Sequence, residues 1–331
     1  MPLFDAHAHL PLDTPDSHAF FVQRDMRVLN ICVASNELGG LDAQRRWYRE
    51  LHAIDPDRFP WVTSFSLEGF GQPGWADRCL EQIDADLAAG AVGCKVWKNV
   101  GMELRDPQTG GFVFVDDARF EPIFAHLERV GVPLLAHIAE PIAAWRPLDP
   151  GDPHYGYFSV AKQWHWHGRT DVPNHERLIA SRDAVVERHP GLTFVALHLG
   201  SQEHDLPAVA ERLRRWPNYV VDTAARLGDL VRNASRDREA VRAFFAEFAD
   251  RIIWGVDWVL TAPVSTRTPE KQQLLLETFA KRYELERRYF ATDEEVTVGP
   301  NSCRGLKLDA GSLEKLMSGN AERVYARQTR A

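Results

Sequence analysis

Short apolar runs alternate with longer amphipathic stretches through the first three quarters of this chain. The runs fall at residues 3–8, 27–34, 61–67, 92–97, 133–137, 193–198, 219–222 and 252–256, are short and apolar or β-branched, and predict eight strands. Between them, residues 41–54, 75–89, 117–130, 176–189, 206–216 and 239–248 carry apolar side chains three and four positions apart, the spacing of a helix with one buried face. Gly131 and the pair Pro190-Gly191 stop two of these helices just before the next strand. Such alternation is the pattern of a parallel sheet covered by helices, and eight is the number of strands at which that sheet closes. The expected fold is an α/β single-domain (β/α)8 TIM barrel over residues 1–331, distorted by a long loop after strand five.

The ends of the runs carry the candidate chemistry. In Phe4-Asp5-Ala6-His7-Ala8-His9-Leu10 the two histidines are one residue apart, so period-two geometry puts both imidazoles on one face of a strand. Later runs end on His137, His198 and Asp257. Residues at the ends of separate strands converge only when those strands lie side by side and point the same way, as in a barrel. Histidines with one carboxylate suit a divalent first-row cation, with Zn2+ the default and Mn2+ the second choice. Such an ion brings the pKa of bound water to about 7 and polarises a carbonyl oxygen.

Length and charge narrow the partners. At 331 residues and 44% hydrophobic composition the chain buries a large core. Its 39 basic and 47 acidic residues give a net charge of −8 with no block of one sign, so nucleic acid is not an expected partner. No apolar run nears the roughly 18 residues a membrane span needs. The first strand begins at Pro2-Leu3, which leaves no room for a signal peptide, and the expected location is cytoplasmic. Cys32, Cys79, Cys94 and Cys303 show no C-x-x-C pairing and read as buried thiols. Self-association as a homodimer stays open.

A His-x-His closing strand one, histidines closing strands five and six and an aspartate closing strand eight together resemble the amidohydrolase superfamily. The resemblance is to its amidohydrolase-related (amidohydrolase 2) branch, which includes aminocarboxymuconate-semialdehyde decarboxylase and many TIM-barrel metal-dependent hydrolases. It spans nearly the whole chain, including the late Asn320-Ala321-Glu322-Arg323 segment. By position, it implies His7, His9, His137 and Asp257 as metal ligands, with Asp257 also carrying protons and His198 beside them as proton donor or carbonyl polariser. In binuclear members a carboxylated lysine on strand four bridges two metals. Here Gly93-Cys94-Lys95 offers Lys95, read either as that bridge or as a fixed cation facing substrate, which leaves the metal count open. Lys98, of opposite strand parity, is assigned to the loop or surface.

Outside that set, Arg226 is a candidate anchor for an anionic substrate or half of an ion pair. Glu140 orients a ligand, contacts substrate or is a solvated loop carboxylate. The 139–173 connection, with Trp145, Trp164 and Trp166 among its aromatics, is expected to cover the metal, and Trp145 to touch substrate. His165 and His167 repeat the x-His-x spacing without a partner carboxylate. His18, His52, His126, His175 and His189 are expected at the surface. A helix is expected over 269–287 and a closing one over 313–327, while 288–307 has no assignment. The expected activity is hydrolysis of an amide, ester or lactone carbonyl in a small molecule by a metal-activated water. Decarboxylation of an aromatic or dienoic acid is the alternative, and a metal-free ligand-binding barrel is the third.

Overall fold

A computed structural model describes residues 2–326. Eight parallel staves form the sheet: β1 (Leu3–His9), β2 (Met26–Ile31), β3 (Trp61–Ser64), β4 (Ala91–Val96), β5 (Leu134–Ala136), β6 (Phe194–Ala196), β7 (Tyr219–Asp222) and β8 (Ile252–Ile253). Each pairs with its sequence neighbour. A short strand β9 (Trp258–Val259) pairs parallel with β1, through Ala8 opposite Trp258 and His9 opposite Val259. The eighth stave is thus broken in two, its first half bonded to β7 and its second to β1, which closes a distorted (β/α)8 barrel.

Two register slips decide what faces inward. β1 gains one residue on β2 between Asp5 and Ala8, and β4 gains one on β3 between Ala91 and Cys94. An extra residue reverses the in-and-out alternation beyond it. Phe4 and Ala6 therefore join Leu29, Ile31, Val62, Val92, Leu135, Val195, Val220 and Ile253 in one apolar layer, yet His7, His9 and Lys95 also turn toward the barrel's interior above it. Ala321 and Tyr325 join the same layer, with the Phe4 and Tyr325 ring centroids 6.5 Å apart.

The main helices follow the periodicity, with departures. A helix at Pro15–Gln23, capped by Thr14, was not expected from the pattern. The one expected at 239–248 begins at Leu227 and runs to Glu247 with a break at Asp237. Within the unassigned 288–307 stretch, β10 (Glu295–Val298) and β11 (Asn301–Arg304) form an antiparallel hairpin, and Arg238 on that long helix donates to Gly305 O. The closing segment is helical from Ala310 to Val324 with one π turn, and Arg327 lies outside the described residues. Among the described residues no helix is long and apolar enough to cross a membrane.

Candidate metal centre

Register brings the ligand-type residues together. The N–H of Asp257 donates to His7 O at 2.8 Å and that of Leu260 to His9 O at 2.9 Å, so the broken eighth stave is zipped beside the His-x-His. Gly255 makes this close approach feasible, since a Cβ there would sit 2.8 Å from His7 Cβ. Asp257 then adopts φ 66°, a left-handed backbone that swings its carboxylate over β1. Its Oδ1 lies 3.6 Å from His7 Nε2 and 3.5 Å from His9 Nε2.

The tautomers follow from the partners. His7 Nδ1 meets Asp222 Oδ2 at 2.7 Å and His9 Nδ1 meets Ile31 O at 2.6 Å. Both partners only accept, so each Nδ1 carries the proton and each Nε2 presents a lone pair toward Asp257. Among the described residues, His137 Nε2 is buried with no hydrogen-bond partner. Lone pairs and a carboxylate oxygen aimed at one another repel, and a divalent cation bound among them turns that repulsion into attraction. The carbonyl and carboxylate behind His9 and His7 are the supports a metal-binding imidazole uses. The donor set therefore fits a divalent ion.

His137 and His198 extend the cluster rather than completing a tight square. The ligand atoms of His7, His9 and Asp257 lie within 4.8 Å of one another, a group that omits His137. The His137 ring centroid is 4.3 Å from that of His198, which is 4.8 Å from that of His7. Burial, with neighbouring cationic side chains adding to it, holds the pKa of His9, His137 and His198 well below the usual imidazole value. Lys95 Nζ is 3.3 Å from His7 Nε2, and its pKa is pushed down to about 8, chiefly by burial.

A cavity of about 430 Å³ opens above these residues, lined by His9, Lys95, His137, His198, Arg226 and Asp257 on its polar side. Trp97, Leu38, Val33 and Val259 supply an apolar side. Glu140, Pro141, Pro153, His154 and Tyr157 of the 139–173 segment reach it too, so that segment contributes to the wall. Arg226 is buried and paired with the fully buried Glu203 at 3.2 Å while still lining the cavity.

Several expectations change. Trp145 does not line the cavity: its indole donates to Pro173 O at 2.9 Å and its ring packs on His175 at 5.2 Å, so it braces the segment from behind. Lys98 is buried rather than on the surface. The chain turns inward after β4, and Lys98 pairs with Glu140, bonds Tyr157 Oη at 2.9 Å and lies 4.0 Å over the Trp164 ring. Glu140 is accordingly a buried, paired carboxylate rather than a solvated one. His52, His126, His175 and His189 are buried, each bonded at a ring nitrogen to a carbonyl or carboxylate. Sequence reasoning missed Asp222, Trp97 and Tyr157. The polar end of an otherwise apolar strand was the available signal for Asp222.

An amidohydrolase family model matches residues 4–327. No protein of curated function matches the chain. Among solved structures, an uncharacterised TIM-barrel protein from Bordetella bronchiseptica is 16% identical with a TM-score of 0.55, covering 98% of this chain and 99% of its own. A zinc-bound amidohydrolase from Burkholderia multivorans is 16% identical with a TM-score of 0.53, over 98% and 99%. The 2,6-dihydroxybenzoate decarboxylase from Rhizobium is 14% identical with a TM-score of 0.54, over 98% of each chain. At such identities these structures share the fold, while the family match runs from the first strand past the closing helix: the chain belongs to the amidohydrolase family.

Proposed function

We propose that the protein is a metal-dependent hydrolase that opens an amide, ester or lactone carbonyl of a small molecule. The observation that carries this reading is the meeting of the His7 and His9 lone pairs with Asp257 Oδ1 at 3.5–3.6 Å under an open cavity. His7, His9, His137 and Asp257 would hold the ion, zinc or manganese. When bound, it supplies Lewis acidity and makes a water nucleophile available near neutral pH. Asp257, 21% exposed to the cavity, takes the proton of the attacking water and returns it to the leaving group. His198 gives its Nδ1–H to Ala224 O at 2.8 Å, so its Nε2 offers a lone pair that orients water or receives a proton. It donates to a substrate oxygen only after taking a proton up. Lys95 and Arg226 draw an anionic group of the substrate to the polar side.

A second reading, decarboxylation of an aromatic or dienoic acid, is favoured by Lys95, which has no carboxylate paired with it among the described residues and so suits a substrate carboxylate. The 2,6-dihydroxybenzoate decarboxylase from Rhizobium, which shares this fold, supports the reading. Zinc- and manganese-loaded protein assayed against esters, lactones and amides and against hydroxybenzoates, with carbon dioxide measured, separates the two. Hydrolysis without carbon dioxide is the expected result. Carbon dioxide release with no hydrolysis makes the enzyme a lyase, and a protein that retains no transition metal by elemental analysis overturns both.

A further inference from the structure

Past β6 the backbone enters a conformation that L-residues rarely sustain. His198, Leu199, Gly200 and Ser201 have φ of 60°, 54°, 64° and 57°, a full left-handed turn of which three residues are not glycine. A turn of that kind persists only when its surroundings over-determine it. Here three sides do so. Asp222 Oδ1 accepts the N–H of His198, and Ala224 O accepts its Nδ1–H. Ser201 Oγ donates to Ala139 O beyond β5, and His175 Nε2 donates to Ser201 O at 2.9 Å. The third side is Arg182, fully buried, whose guanidinium donates through Nη1 to Gly200 O and through Nη2 to Gln202 Oε1 at 3.0 Å. Gly200 is the residue this packing allows, since a Cβ would meet Tyr219 Oη at 2.4 Å and Arg182 Nη1 at 2.6 Å.

We propose that Arg182 is a positioning residue for His198: it clamps the left-handed turn from below and so fixes where the imidazole stands against His7 and His137. The proposal rests on the reading of His198 as a group that handles protons in the cavity. Charge balance alone does not account for Arg182, because Asp183, which pairs with it at 2.6 Å, is also satisfied by Arg212 at 2.8 Å. What Arg182 adds is one donor on the turn's own carbonyl, at Gly200, and a second on the side chain of Gln202, the residue after the turn. Arg182 and His175 both lie on the helix His175–Arg188, which directly follows the 139–173 segment. Trp145 of that segment packs on His175, so two contacts and the turn link this part of the cavity wall to His198.

The test is imidazole 15N NMR of zinc-loaded protein, with His198 assigned from the signals lost in His198→Asn. Arg182→Lys keeps the charge but cannot span both acceptors. It is expected to shift the His198 Nδ1 and Nε2 resonances and to expose the Nδ1 proton to exchange, with bound zinc and the signals of His7, His9 and His137 unchanged. Arg212→Lys, which loosens the same Asp183 without touching the turn, is expected to leave His198 where it is. Should Arg182→Lys fail to fold, Gln202→Leu removes one anchor of the clamp while the Arg182 charge stays paired, and is expected to shift the same two signals. Unmoved His198 signals in a folded clamp variant, or equal shifts in Arg212→Lys, overturn the proposal. Turnover separates it from the reading beneath: with a responding substrate, Arg182→Lys should lower kcat by about tenfold to 10²-fold at nearly constant KM. If His198→Asn turns over like the wild type, it is the role of His198 that fails, whatever the spectra show.

Discussion

Asp257 and His198 both line the cavity, and substitution separates what they do. Asp257 faces two imidazole lone pairs, so Asp257→Asn should abolish turnover and weaken zinc binding as well, an amide being a poorer ligand and no proton acceptor. His198→Asn should leave zinc content nearly intact and lower kcat by about 10²-fold. If both variants lose metal equally in elemental analysis, His198 is a direct ligand and a binuclear site using Lys95 becomes the better reading. His175 yields a pH effect of its own. Burial pushes its pKa down to about 3, whereas in the unfolded chain it protonates near the ordinary value of 6.5. Below pH 6.5 the unfolded state binds a proton that the folded state refuses, so stability present above 6.5 is lost as pH falls toward 3, by up to about 5 kcal/mol. Denaturant melts from pH 7 to 4 should show that slope in the wild type and a flatter one in His175→Gln; identical slopes would remove His175 from the account. The histidines that close strands were legible because strand ends announce themselves in the pattern. His52, His126 and His175 were not, because a helical histidine reads the same whether its ring meets water or, as for His175, the carbonyl of a distant turn.

At the level of elements, the eight staves were legible from alternation, and their interior was not. The residues of β1 read as plain period two, but the slip between Asp5 and Ala8 that breaks it depends on the partner strand, which no local pattern encodes. The same holds for Lys98, whose strand parity ceased to matter once the chain turned inward after β4. Strand eight was expected as one run, and its break follows from Gly255 and the left-handed Asp257. That break yields a test. In Gly255→Ala the new methyl presses on His7 at 2.8 Å from its Cβ and 3.1 Å from its N, contacts that a backbone shift must relieve. Overpacking of this kind costs about 1–3 kcal/mol, and the shift falls on a ligand-bearing strand. Zinc affinity is therefore expected to drop more than unfolding free energy does, measured by competition with a chelator and by urea melts. A variant that binds zinc as the wild type does would show that the β1 and β8 approach is not what sets the site. The left-handed turn after β6 belongs at this scale too. Its non-glycine residues each carry on the order of 1–2 kcal/mol of conformational cost, which the rest of the barrel must outweigh.

For the whole molecule, a metal at this site is a cross-link in a closed sheet. Its candidate ligands come from β1, from the residue after β5 and from the residue just before β9, positions more than 240 residues apart in sequence between His9 and Asp257. An ion that holds them binds the folded barrel and not the separated strands of the unfolded chain, so it stabilises by mass action: about 4 kcal/mol when free zinc exceeds its Kd 1,000-fold. Barrel closure and the candidate metal site were legible together in the sequence for this reason, since ligands at strand ends have meaning only if the strands converge. Substrate identity was not, because the cavity's apolar side is assembled from Trp97, Leu38 and Val259, which come from two connections and β9 with no shared pattern. For a chain of this size, that stabilisation corresponds to a rise in Tm of several degrees on zinc addition, with the rise growing with the logarithm of free zinc. In Asp257→Asn the rise should shrink, because one ligand is weakened. In a variant distant from the site, such as Arg214→Gln, it should persist, as that side chain pairs with the exposed Glu247 on the outer helices. A Tm indifferent to zinc in the wild type, measured after chelator treatment and dialysis, would mean that the converging lone pairs of His7 and His9 do not take up the ion.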